Sequence, residues 1–158
     1  MTAANYFSRD YAEARRKFLA ACRSAGLKST RYRNPAAGPA GEELFTDAAR
    51  IGPPTATRVV LVNSATHGVE GFCGSGVIVG WLRSGEWRRL PKGVAMVLVH
   101  AINPHGFAWL RRVTEDNVDL NRNFQDFGKP LPVNEAYEAL HAAILPERWD
   151  ETSAAARE

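Results

Sequence analysis

The sequence predicts an α/β fold with a mixed, largely parallel sheet and flanking helices. Residues 58–64 and 94–100 are two continuous apolar runs rich in β-branched side chains, which is typical of strands covered on both faces. Residues 71–83 lie between them and have the apolar content of a core helix, so the three segments predict a strand–helix–strand unit with a right-handed crossover. With 158 residues, of which 45% are hydrophobic, the chain is sized for one domain with a buried core.

A helix and two short strands are predicted before this unit. In residues 8–25 the apolar side chains recur at steps of three and four, as in an amphipathic helix, and Gly26 stands where a glycine commonly ends one. Residues 27–32 and 43–49 flank the turn-rich segment 34–39, which predicts two short strands at a sheet edge.

The last part of the chain is predicted to be a loop, a helix and a tail. Residues 128–132 have the glycine and proline content of a loop, and Asn134 is placed to cap a helix that runs to about Ile144. Residues 146–158 are alanine-rich and polar, with little to bury, so we expect a poorly ordered polar tail. The expected organisation is a single domain over residues 1–145 followed by that tail.

Composition argues against several classes of protein. The sequence has neither an apolar signal segment at its N-terminus nor a run of about 18 apolar residues, so we expect a cytoplasmic protein without a membrane partner. The net charge is only +3, and the arginines are scattered, which argues against a nucleic-acid partner. The two cysteines, Cys22 and Cys73, lie in predicted helices and are expected to be reduced.

Polar side chains follow the ends of the two predicted central strands. His67 and Glu70 come after the first strand, and Asn103, His105 and Arg112 come after the second. Because ligands bind at the carboxyl ends of strands in such sheets, we expect these two groups to meet at one edge. A histidine and a glutamate three residues apart share a face where a loop turns into a helix, so this pair can bind one metal ion.

A second motif, DLNRNF at residues 119–124, accompanies the HGVE segment at residues 67–70. Together with Asn103 and the arginine pair at 111–112, this order resembles the zinc carboxypeptidases of the carboxypeptidase A type. It is also similar to their deacylase relatives, succinylglutamate desuccinylase and aspartoacylase. The resemblance covers residues 59–124, and the run 111–122 is closest to a bacterial branch of metallopeptidase-like proteins. It implies a zinc-carboxypeptidase-like fold, of which we expect this chain to contain the N-terminal half.

The resemblance also implies roles for individual residues. His67 and Glu70 correspond to two of the three protein ligands of Zn2+. Asn121 and Arg122 correspond to the pair that binds the terminal carboxylate of the substrate. The implied partner is therefore a small peptide or an acyl-amino acid with a free carboxylate.

The remaining implied role is catalytic. Arg112, or alternatively Arg111, corresponds to the side chain that polarises the scissile carbonyl. An arginine forms paired hydrogen bonds with a carboxylate, and one donor to a developing oxyanion is worth about 3–4 kcal/mol.

Zinc with one open position lowers the pKa of water to about 7. We expect Asp119 to orient the Arg122 loop rather than to act as a base.

Two parts of the family's site, a second zinc histidine and a glutamate base, are not recognisable in the sequence. The other three histidines have simpler interpretations: His100 as a core residue bonded to backbone, His105 as structural and His141 as a residue of the last helix. A half domain would leave one sheet edge uncovered, which predicts weak stability or self-association through that edge.

The sequence thus favours a zinc-dependent hydrolase of the metallocarboxypeptidase type that cleaves an amide bond next to a free carboxylate. One alternative is an N-acyl amino acid deacylase, which would use the same residues. Another is a catalytically inactive binding or assembly module that retains the pair Asn121 and Arg122 without a working metal site.

Overall fold

The structure is a computed structural model that describes residues 2–145. The chain comprises two compact units, Met1–Phe124 and Gln125–Glu158. The elements of the first unit are α1 (Tyr11–Ser24), β1 (Ser29–Ala37), β2 (Glu43–Ile51), β3 (Arg58–Asn63), α2 (Gly71–Ser84), β4 (Val94–His100) and α3 (Pro104–Trp109). Short 3-10 helices span Ala3–Tyr6 and Glu86–Arg89.

The described part of the second unit contains one helix, α4 (Glu135–Ile144). Asn134 caps it as predicted, since its side-chain oxygen accepts a hydrogen bond from the backbone N–H of Tyr137. The predicted polar tail at 146–158 lies outside the described residues, and the single domain over 1–145 stays a prediction. None of the helices in residues 2–145 has the length and apolar character needed to cross a bilayer.

The four strands form one sheet in the order β1-β2-β4-β3. The β3/β4 pair is parallel and is joined through α2, which confirms the predicted strand–helix–strand unit. The β1/β2 and β2/β4 pairs are antiparallel, so the expectation of a largely parallel sheet is wrong. The physical reason is that β1 and β2 are longer than the two short strands expected at a sheet edge. They form a hairpin of two nine-residue strands, and its second strand pairs directly with β4.

The position of β3 also differs from the expectation of a strand covered on both faces. Among the described residues β4 is the only strand that pairs with β3, so β3 lies at an edge of the sheet. Val59, Val60 and Leu61 are 55%, 43% and 66% exposed. The apolar composition of β3 correctly indicated a strand, but composition alone did not show whether a neighbouring strand is present.

The main core lies where α1 and α2 pack against the sheet. Phe18 of α1 and Leu82 of α2 are buried together with Ala49 and Leu98, which are register partners on β2 and β4. Side chains of register partners lie on the same face of a sheet, so both helices cover one face. The packing of α2 on the sheet therefore holds the start of this helix close to the ends of β3 and β4.

Two buried polar clusters lie in this core. Asp47 of β2 is fully buried and accepts hydrogen bonds from Nε and Nη2 of Arg15, at 2.6 and 3.1 Å. His100 is also fully buried, as predicted, and its ring stacks on Phe18 with the ring centres 4.6 Å apart. The sequence predicted a hydrogen bond from His100 to the backbone. The structure instead places the hydroxyl of Ser75 2.9 Å from Nε2 of His100.

Burial of His100 predicts that the protein loses stability in mild acid. Burial, and to a lesser extent the positive charge of Arg15, lowers the pKa of His100 from 6.5 to about 3. Below pH 6.5 the unfolded chain therefore binds a proton that the folded chain does not, and stability falls as the pH decreases towards 3. This histidine alone should lower the free energy of unfolding by about 2 kcal/mol between pH 7.5 and pH 5.

The measurement is urea unfolding at several pH values between 7.5 and 5, for the natural chain and for His100→Gln. The variant lacks the titrating group, so its free energy of unfolding should depend less steeply on pH over this interval. Equal slopes for the two proteins would contradict the assignment to His100.

Candidate functional site

The loops that leave β3 and β4 are held together by backbone hydrogen bonds. The N–H groups of Ile102 and Asn103 donate to the carbonyls of Ser64 and Ala65, both at 3.0 Å. Ala65 and Ala101 have φ values of 59° and 60°, in the left-handed region that residues other than glycine rarely adopt. Such a conformation costs roughly 1–2 kcal/mol per residue, so the surrounding packing and hydrogen bonds must stabilise these two turns.

Asn103 connects the two loops through its side chain. It is 1% exposed, and its Oδ1 accepts a hydrogen bond from the N–H of Gly106 at 2.8 Å, which caps α3. Its Nδ2 donates to the carbonyl of Thr66 at 3.4 Å. One amide thereby links the start of α3 to the residue before His67.

Gly68 brings the segment after β3 into contact with the segment after α3. Its N–H donates to the carbonyl of Arg111 at 2.9 Å. A Cβ atom at this position would collide with the carbonyl oxygens of Gly106 and Arg111. Only glycine allows this close approach of backbones, and the approach places His67 next to the residues that follow α3.

His67 lies between two carboxylates. Its Nδ1 is 3.2 Å from Oε1 of Glu70, and its Nε2 is 3.0 Å from Oδ1 of Asp119. The helix α2 begins directly after Glu70, so the turn from loop into helix falls where the sequence predicted it. Hydrogen bonds from its own backbone N–H and from His67 lower the pKa of Glu70. The imidazole is 12% exposed, whereas the Glu70 side chain is 66% exposed.

Asp119 joins three other groups of the site. Its Oδ1 also accepts the backbone N–H of Asn121 at 2.9 Å, and its Oδ2 accepts Nε of Arg112 at 2.7 Å. The hydrogen bond from His67 and then that from Arg112 lower the pKa of Asp119 to about 2. Asp119 therefore orients the loop before Arg122, as expected, but sequence reasoning missed its contact with His67. The spacing gives no signal for this contact, because the two residues are 52 positions apart.

The other predicted site residues differ in how they are connected to His67 and Asp119. Asn121 lines a cleft of about 320 Å³ together with His67, Glu70 and residues 63–66. Arg112 is joined to the centre through Asp119, whereas the alternative, Arg111, donates from Nη2 to Asn117 at 3.3 Å. Arg122 does not line the cleft, and its Nη1 donates to the carbonyl of Asn121 at 3.1 Å.

The donor chemistry fits half of a zinc site. Nδ1 of His67 and the carboxylate of Glu70 are adjacent donors, and the hydrogen bond from Nε2 to a carboxylate is the usual outer support of a zinc-bound histidine. Asp119 approaches the opposite ring nitrogen, so it cannot bind the same ion as Nδ1. Within residues 2–145 no three histidine, cysteine, aspartate or glutamate side chains are arranged to hold a metal ion. A third ligand is therefore not found among the described residues.

The close packing of Gly68 predicts that a methyl group there will displace the His67 segment. Gly68→Ala should lower the free energy of unfolding by about 1–3 kcal/mol, the usual cost of overpacking a tight contact. Gly128→Ala is the matched control, because a Cβ at that position meets only the carboxylate of Asp126. Urea unfolding of both variants checks the prediction, and a Gly68→Ala protein as stable as the control would contradict it.

Comparison with solved structures gives partial and distant similarities. A glutaminyl cyclase from Fimbriiglobus ruber is 11% identical with a TM-score of 0.42; the match covers 61% of this chain and 40% of that one. A glutaminyl cyclase from Porphyromonas gingivalis is 13% identical with a TM-score of 0.43, covering 82% and 58%. A structure described as a Zn-dependent exopeptidase from Parabacteroides distasonis is 10% identical with a TM-score of 0.40, covering 80% and 51%. The chain thus spans about half the length of these proteins.

Comparison of sequences gives a clearer result. No curated protein is significantly similar to this chain. A family described as "Protein of unknown function (DUF2817)" matches residues 7–158, which include both motifs and every residue of the candidate site. The chain belongs to this DUF2817 family.

Proposed function

We propose that this chain supplies the metal-binding and carboxylate-binding part of a zinc-dependent hydrolase of the metallocarboxypeptidase type. Its reaction would be cleavage of an amide bond next to a free carboxylate. The observation that supports this most strongly is the position of His67, with Glu70 at one ring nitrogen and Asp119 at the other.

On the metal side, His67 and Glu70 would hold the ion. The bond from Nε2 to Asp119 fixes the ring and leaves Nδ1 directed towards Glu70, so both donors face the same space. Zinc at this position would act as a Lewis acid and lower the pKa of water to about 7. A third ligand and a general base would come from outside residues 2–145 or from another chain.

On the substrate side, the residues after Asp119 would recognise a carboxylate. Asn121 lines the cleft beside His67, and Arg122 follows it directly on an exposed loop. The guanidinium of Arg122 can form two parallel hydrogen bonds with a carboxylate, which a lysine cannot. Arg112 is held by Asp119 through Nε, and we assign its remaining N–H groups to the carbonyl of the bond to be cleaved.

Zinc binding tests the metal half of the proposal. After zinc loading and desalting, the chain should retain about one zinc ion, and His67→Ala should lose it because one of the two ligands that the described residues supply is removed. Asp119→Asn should weaken zinc affinity by roughly 10- to 100-fold, the usual effect of removing an outer-shell carboxylate. Metal analysis and calorimetric titration measure both effects.

Two matched controls make this result specific. Asp116→Asn removes an exposed carboxylate in the same loop, and His141→Ala removes a histidine of α4 that contacts Tyr137. Both proteins should bind zinc like the natural chain. Absence of zinc binding by the natural chain, or equal losses in the controls, would reject the metal site.

Ligand binding tests the carboxylate half independently of turnover. Peptides with a free C-terminus should bind more tightly than their amidated forms, and Arg122→Gln should remove most of this preference, about tenfold. Arg111→Gln is the control, because Arg111 bonds to Asn117 outside the proposed contact. If Arg122→Gln leaves the preference for free carboxylates unchanged, the assigned role of Arg122 is wrong.

One structural observation favours a second candidate function. Since no three-ligand metal group is present in residues 2–145, a binding module without hydrolytic activity is the main alternative. The zinc-loaded chain can be tested with two substrate classes, peptides with a free C-terminus and N-acyl amino acids. The results distinguish a carboxypeptidase, a deacylase and a binding module. Hydrolysis of the first indicates a carboxypeptidase, hydrolysis of the second indicates a deacylase, and binding without hydrolysis indicates the module.

A further inference from the structure

A second cleft, on the side of α1 and the β1–β2 hairpin, plays no part in the function proposed above. It consists of two adjoining cavities of about 240 and 330 Å³ that share three lining residues, Arg15, Leu19 and Arg23. The smaller cavity, which we call the arginine pocket, is lined by Arg15, Leu19, Arg23, Ser29, Arg31 and Asp47. The larger one adds Arg16 and two carboxylates, Glu42 and Glu43, of which Glu43 forms a salt bridge with Arg33.

The first arginine of the pocket is rigidly held. Nε and Nη2 of Arg15 bond to the two carboxylate oxygens of the fully buried Asp47. The same guanidinium lies over the ring of Phe45, 4.1 Å from its centre. The ion pair with Asp47 and the contact with Phe45 together fix the orientation of the Arg15 side chain. Its conformational entropy is therefore lost on folding rather than on binding of a ligand.

The other two arginines bring charge that this aspartate does not balance. Arg31 extends from β1 and lies 5.9 Å from the centre of the same Phe45 ring. Arg23 belongs to the last turn of α1. Neither forms a salt bridge in the part of the chain that the structure describes. Among the residues that line the arginine pocket itself, three guanidinium groups and the carboxylate of Asp47 give a net charge of +2, while Glu42 and Glu43 line only the adjoining larger cavity.

We propose that the arginine pocket binds a small dianion with tetrahedral oxygens, namely inorganic phosphate or the phosphate group of a larger molecule. The charge of +2 matches a phosphate dianion, and three guanidinium groups lining one small cavity offer several N–H donors to its oxygens. The hydroxyl of Ser29 adds a neutral donor. A cavity of about 240 Å³ is smaller than a typical site for a drug-sized ligand, which favours one compact anion.

The test is calorimetric or NMR titration of the full chain with inorganic phosphate at pH 7.5 and low ionic strength. Saturable binding is expected, and Arg31→Gln and Arg23→Gln should each weaken it about tenfold, since each removes one charge-assisted contact. Arg58→Gln is the matched control: it removes the same charge from an exposed position on β3, outside both cavities. Both pocket variants are exposed substitutions, and circular dichroism checks that each remains folded.

Further ligands distinguish the source and the chemistry of the anion. Sulfate should compete with phosphate, whereas succinate should bind much more weakly, because its two planar carboxylates do not match the same contacts. A phosphomonoester such as phosphoserine that binds more tightly than inorganic phosphate would identify the site as one for a phosphate group of a larger molecule. Equal affinity would identify it as a site for the free ion.

Three results would overturn the proposal. Binding that does not saturate, or that weakens as much in Arg58→Gln as in Arg31→Gln, would show only diffuse attraction to a basic protein. Preference for succinate over phosphate would show that the ligand class is wrong. Because the readout is phosphate affinity, these outcomes are independent of zinc and carboxylate binding at the candidate site around His67.

Discussion

The arrangement of the candidate site depends on the carboxylate of Asp119. This one group contacts the ring of His67, the guanidinium of Arg112 and the backbone of Asn121, so it connects the proposed metal side with the proposed substrate side. The hydrogen bonds that it accepts hold the pKa of Asp119 near 2, and the group therefore remains an anion across the physiological range. Without it, the segment after β3 and the segment after α3 would share backbone contacts but no common electrostatic centre.

Sequence reasoning predicted the local parts of the fold and failed on the pairing of strands. The apolar runs correctly located β3, α2 and β4, because continuous β-branched runs and a longer apolar segment between them are visible within short windows of sequence. The turn-rich segment at 34–39 suggested that β1 ends early. The strand instead continues through Pro35 to Ala37, with an irregular register between Arg33 and Ala37. The pairing of β2 with β4 lies at the other end of the hairpin, over residues 47–51. Non-local pairing of this kind has no signature within a short window of sequence.

The candidate site shows the same division between local and long-range information. His67 and Glu70 could be paired from their spacing, since both lie in the short turn that leads into α2. The partner of His67 at Nε2, and that of His100 in Ser75, come from distant segments and emerge only from the folded structure. The capping role of Asn103 and the close contact at Gly68 depend on tertiary approach in the same way.

The two left-handed alanines restrict which sequences this site can accept. Ala65 and Ala101 are 4% and 0% exposed, so neither position has room for a longer side chain. Their φ values near 60° disfavour β-branched residues, and burial disfavours the asparagine and aspartate that otherwise tolerate this conformation. Only glycine and alanine satisfy both conditions, and glycine would relax the strain while loosening the loops. Natural variation at these two positions should therefore be confined to the two smallest amino acids.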